Sequence, residues 1–257
     1  MKSLSMALAA SLIATCGFAS ATVVTAADSF GTNGTIINQA GGQGWNGAWQ
    51  SGLTGANAPV VNNGKLEFRK DANVAATRKL NKAMSSDVIV DFTFQYTGTL
   101  GTNVFLGLWF GSSIGGPNMG LKSNCDNASG ACTNDMFART AGSSGPFVTD
   151  SDLVAGQSYR MYGHLYKSQE GSSYDRFAVW LNPTAYEMNS LTTPDLLSKG
   201  ASGLYSFDSI GFRTANLKGQ VLTVDNLSIN AIPEPGSLAL LGLAMLGMGA
   251  ARRRKSK

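Results

Sequence analysis

The chain has 257 residues, 43% of them hydrophobic and only 14% charged, with 31 glycines and a formal charge of +4. Six of its twenty basic residues, Lys2, Arg252, Arg253, Arg254, Lys255 and Lys257, sit at the two ends, which leaves fourteen bases against fifteen acids between them. A near-neutral middle argues against a nucleic-acid partner, and its length of about 205 residues suits one all-β domain.

The N-terminal segment has the pattern of a secretory signal peptide over residues 1–26. Lys2 supplies a positive charge, residues 4–18 an apolar stretch, and Ala19-Ser20-Ala21 or Val24-Thr25-Ala26 a small-residue cleavage site. Cys16 offers a lipoprotein alternative, for which Ile13-Ala14-Thr15 is a poor match. Export is expected on either reading.

From 27 to 231 the dominant period is two. After a weaker run, "GKLEFRK" (64–70), the segment "VIVDFTFQY" (88–96) places Val88, Val90, Phe92, Phe94 and Tyr96 on one face and Asp91, Thr93 and Gln95 on the other, which predicts a half-buried strand. "NVFLGLWFG" (103–111) is apolar on both faces and predicts a central strand with Trp109 in the core. Residues 111–145 read as a long loop region holding Cys125 and Cys132. In an exported chain this pair favours a disulfide, worth about 2–3 kcal/mol in the chain-entropy model. A metal reading is weak, because no second Cys/His pair exists and His164 is the only histidine.

Further along, "SYRMYGHLYK" (158–167) alternates Tyr159, Met161, Gly163 and Leu165 against Arg160, Tyr162, His164 and Tyr166. "DRFAVWLNP" (175–183), with Trp180 expected in the core, "DSIGFRT" (208–214) and "VLTVDNLSI" (221–229) complete the strands. Helical periodicity is weak throughout. Many short strands joined by turn-rich segments predict an all-β fold of two packed antiparallel sheets.

Several of these segments share a likeness. "NQAGGQGWNGAWQSG" (38–52), preceded by Asp28-Ser29-Phe30, together with "RFAVWLNPTAYE", "FDSIGFRT" and "LTVDNLSI", resembles the concanavalin A-like, laminin-G-like jelly-roll domains of exported bacterial surface proteins. The resemblance implies a jelly-roll sandwich over 27–231. It also implies a possible structural calcium at Asp28 and Asp225, near the two ends of the domain, although two carboxylates alone do not make a calcium site.

The last segment, "IPEPGSLALLGLAMLGMGAARRRKSK" (232–257), combines a Pro-Glu-Pro corner, sixteen mostly apolar residues (236–251) and a basic cluster. As a helix the apolar run spans about 24 Å, enough for a single transmembrane helix when flanking arginines snorkel. The positive-inside rule puts Arg252, Arg253, Arg254 and Lys255 in the cytoplasm, and Pro233 and Pro235 make the junction extended and accessible. The arrangement resembles the PEP-CTERM sorting signal of Gram-negative bacteria. That resemblance implies that an exosortase recognises Pro233-Glu234-Pro235, cleaves nearby, and passes the domain toward the cell surface or an exopolysaccharide matrix. A permanent tail anchor in the inner membrane is the alternative.

Catalysis finds little support. Retaining glycosidases of this fold need two carboxylates about 5 Å apart, but Glu67, Glu170 and Glu187 are widely separated, and Asp87 and Asp91 would lie about 13 Å apart along a strand. His164 has no nucleophile motif beside it. For binding, the polar row of Tyr162, His164 and Tyr166 is the candidate platform, with Trp45 and Trp49 expected to anchor the N-terminal loop. The expected role is a non-catalytic structural or adhesive one at the cell surface. A carbohydrate-binding module for exopolysaccharide or another surface glycan is the alternative, and a glycan hydrolase a distant one.

Overall fold

The period-two runs fold as strands because each then buries one face against a second sheet. The computed structural model describes residues 23–99, 101–112, 114–123, 134–142 and 145–232. In chain order the strands are β1 (Val23–Asp28), β2 (Gly34–Thr35), β3 (Trp45–Gln50), β4 (Val60–Asn62), β5 (Lys65–Phe68), β6 (Ala72–Met84), β7 (Val88–Thr97), β8 (Phe105–Phe110), β9 (Asn118–Lys122), β10 (Met136–Arg139), β11 (Ser158–Tyr166), β12 (Arg176–Leu181), β13 (Leu196–Lys199), β14 (Phe207–Ala215) and β15 (Val221–Ala231). A short helix, α1 (Ala185–Ser190), connects β12 to β13.

Two antiparallel sheets pack as a jelly-roll sandwich. The larger runs β13-β12-β11-β7-β15-β5-β4-β2, with β1 also paired to β15; the smaller runs β10-β9-β8-β14-β6-β3. Between them lies the main core. Val88, Val90, Phe92, Phe94 and Tyr96 of β7 all enter it, as the alternation predicts. Phe212 of β14 stands at its centre, with ring centroids 5.4 Å from Phe68, 6.3 Å from Phe92 and 6.4 Å from Trp49.

A second apolar cluster covers the outer face of the larger sheet. Ile89, Tyr162, Ala178 and Trp180 pack there beneath Met188, Leu191, Leu197 and Ile232. The helix forms because Thr184 caps it: the Thr184 hydroxyl accepts from the Glu187 N–H, and the Glu187 carboxylate accepts from the Thr184 N–H, a reciprocal capping box. Weak helical periodicity hid this element. Six residues are too few to show a period, but Thr-x-x-Glu after Asn182-Pro183 is its written signature.

β1 begins at Val23, inside the segment expected to be signal peptide, and pairs with β15 so that Asp28 lies opposite Leu227. The rest of that segment, Cys125 and Cys132, Pro233, Glu234 and Pro235, the apolar span and the basic tail (Arg252, Arg253, Arg254, Lys255) lie outside the described residues. Among the described residues no helix is long and apolar enough to cross a membrane.

Candidate functional site: a cationic groove on the smaller sheet

Strand register brings together residues far apart in the chain. On the outer face of the smaller sheet one row runs Arg139, Asn118, Trp109, Gly211, and the next runs Phe137, Gly120, Gly107, Arg213. Phe105 and Lys122 stand opposite each other beyond them. Six of these residues, Phe105, Gly107, Trp109, Asn118, Arg139 and Arg213, line a cavity of about 320 Å³. It runs into a neighbouring one of about 270 Å³ that adds Asn103, Lys122 and Asn216. Phe105, Arg139 and Arg213 belong to both, so the two form one groove.

Glycines flatten the floor. Trp109 lies over Gly211, where any Cβ would collide with the indole, and a Cβ on Gly107 would sit 2.7 Å from the ring of Phe105. The Trp109 indole therefore lies against the sheet over Gly211, and the Phe105 ring over Gly107.

The electrostatics are one-sided. Phe105 and Phe137 stack at 5.3 Å, the Arg213 guanidinium lies 5.2 Å from the Phe105 centroid, and that of Arg139 lies 4.2 Å from Phe137. Burial, followed by the charge of Arg213, holds the Arg139 guanidinium below its ordinary pKa. The Nε atoms of both arginines and Nε1 of Trp109 are buried without a hydrogen-bond partner. Among the described lining residues there is no aspartate, glutamate, histidine or tyrosine.

The row expected to bind lies on the opposite outer face and is largely covered. Tyr162 is only 8% exposed, sits edge-on to Trp180 and donates its hydroxyl to the carbonyl of Met188 at 3.3 Å. Burial raises its pKa. His164 stacks on Tyr166 at 4.5 Å, with Nε2 3.5 Å from Asp87 but outside hydrogen-bonding geometry. Alternation placed the three residues on one side of β11; the covering helix is what closes that side.

Asp28 also has another occupation. It is 6% exposed, and its carboxylate accepts from the Phe30 N–H, Trp49 Nε1 and Arg78 at 2.8 Å each. Arg78 in turn stacks on Trp45 and Trp49. Asp225 accepts from the Asn226 N–H. The expected calcium pair is thus replaced, at Asp28, by a buried ion pair that fixes the N-terminal loop. Among the described residues no cluster of three metal-ligating side chains occurs. The acids weighed for catalysis are dispersed as well: Asp91 pairs with Arg160, Glu67 with Arg69, and Glu187 caps α1.

The polypeptide emerges from β15 at Ala231, and the residues from there onward match a known signal. The chain carries the PEP-CTERM protein-sorting motif, at residues 231–255. The PEP-CTERM motif marks it for export and membrane-associated sorting toward the cell surface. No curated protein matches the chain. Among solved structures it is similar to the alginate lyase Aly36B (14% identity, TM-score 0.45, covering 82% of this chain and 93% of that one). It is also similar to the carbohydrate recognition domain of Emp47p (9%, 0.45, 82% and 99%), and to a glycosyl hydrolase family 16 protein from Mycobacterium smegmatis (10%, 0.42, 67% and 78%).

Sequence reasoning found the PEP-CTERM motif and missed the groove. Trp109 is buried as expected, at 5% exposure, but it lies outside the main cluster and lines the groove. Trp180 is fully buried, though under α1 rather than between the sheets. A strand that is apolar on both faces does not say which face meets a partner sheet. The available signal was Gly107 and Gly211 beside aromatics on strands that otherwise read as buried.

Proposed function

We propose that this protein is an exported, exosortase-sorted surface or matrix protein whose sandwich holds a glycan chain in the groove of the smaller sheet without cleaving it. The observation that carries the reading is the groove itself, where Phe105 and Trp109, 9% and 5% exposed, line a cavity beside arginine Nε atoms that have no hydrogen-bond partner. Sugars stack their apolar faces on such rings, and neighbouring donors fix their hydroxyls. Support for a non-catalytic role comes from the lining, which offers no carboxylate pair at glycosidase separation among its described residues. Adhesion then follows from holding a surface polysaccharide at one end of the molecule's life cycle, after sorting has carried it outward.

The test uses cells with and without a working exosortase. Intact mass and fractionation should show loss of the tail near Pro233 and outward release only in the competent cells. The released protein should bind the cells' own surface polysaccharide without generating new chain ends, and Trp109→Ala should weaken that binding about tenfold, as loss of a stacking contact predicts. A full-length chain held in the inner membrane, or a Trp109→Ala variant that binds as well as the parent, would overturn the reading.

A further inference from the structure

We propose that the groove selects acidic sugars, with the carboxylate of a uronate unit received between Arg139 and Arg213; this rests on the reading of the groove as a glycan site. The sandwich contains six arginines. Four are paired with acids: Arg69 with Glu67, Arg78 with Asp28, Arg160 with Asp91 and Arg176 with Asp175. The two without an ion pair or hydrogen bond among the described residues are Arg139 and Arg213, and both line the groove.

That placement is costly unless something answers it. Arg139 is only 5% exposed, and a buried charge without a counter-ion is among the least favourable groups a fold can hold. The phenyl faces of Phe105 and Phe137 offset part of this cost, and do so without an acid that would compete with a ligand. Arg139 and Arg213 also repel each other, with Lys122 as a third cation at the same groove.

A neutral sugar would leave these charges unanswered. A carboxylate is planar and accepts two parallel N–H bonds from a guanidinium, so it matches arginine where lysine would supply only a point charge. Lying between the two side chains, it would take donors from both and cancel their repulsion. The ring that carries the carboxylate would lie against Phe105 or Trp109.

The test is calorimetry on the protein as cells release it, against polygalacturonate, the same polymer after carboxyl reduction, and dextran sulfate. Polygalacturonate should bind at least about tenfold more tightly than its reduced form, a difference expected of one charge-assisted pair. R139Q/R213Q should lose that preference yet still fold, because the replaced charges have no counter-ion to lose and their mutual repulsion goes with them. Should the double variant melt early, Arg213→Lys, which keeps the charge and loses the fork, should still weaken polygalacturonate binding. Equal affinity for the reduced polymer would overturn the selection while leaving the glycan groove standing. A preference for dextran sulfate, or undiminished binding by a well-folded R139Q/R213Q, would overturn it too. So would failure to bind either polygalacturonan form, even where the surface polysaccharide binds.

Discussion

Neutralising Asp28 would leave Arg78 enclosed by Trp45 and Trp49 with its charge uncompensated. Breaking one side of such a buried pair costs about 3–5 kcal/mol, more than the pair itself contributes over an apolar replacement. Asp28→Asn should therefore lower the unfolding free energy by about that amount, read as a lower urea midpoint at unchanged slope. A chelator should leave the midpoint where it is, since protein donors already occupy both oxygens of this carboxylate. A chelator-sensitive midpoint would contradict this role for Asp28. Arg139 and Arg213 stand in contrast: the same residue type is a structural tie where an acid stands 50 positions away in sequence and is left without a counter-ion where none does. Neither outcome is written near the residue itself. Position at one end of the domain suggested calcium for Asp28, while the partner that decided the matter came from β6.

At the level of elements, α1 is worth testing because it is too short to stand alone and yet roofs Tyr162 and Trp180. Thr184→Ala removes its cap and should cost about 1 kcal/mol, with faster amide exchange confined to residues 185–191. The backbone N–H of Thr184, then its hydroxyl, lower the pKa of the Glu187 carboxyl. A depressed carboxyl contributes stability above its unfolded pKa, lost as pH falls through the folded value, so acid should fray α1 in the parent and do so less in Thr184→Ala, which loses the hydroxyl and keeps the backbone N–H. Period-two strands such as β7 and β11 were legible because one face of each is apolar and enters the core while the other carries mostly polar side chains, which writes the pattern into the chain. β8 was legible as a strand but not in its orientation, since both its faces are apolar. The groove joins β8, β9, β10 and β14, and no single strand carries its pattern; only the register brings Arg139 into line with Trp109.

For the whole molecule, the pairing of β1 with β15 bears on maturation. Cleavage after Ala21 would keep all six residues of β1, whereas cleavage after Ala26 would remove four of them, including the fully buried Ala26. The released protein should accordingly begin at Thr22, which terminal sequencing or intact mass can read. A chain starting at Ala27 would mean that β1 is shed and the β15 edge left open.

Ile232 gives the sandwich a direction. Its N–H bonds to the carbonyl of Asp87, and its side chain packs with the cluster on the outer face of the larger sheet, so the folded body continues to within one residue of Pro233. Ile232 lies on one broad side of the sandwich and the groove opens on the other, so the last described residue and the groove stand back to back. That opposition is built by the fold itself and is in place before any sugar is met.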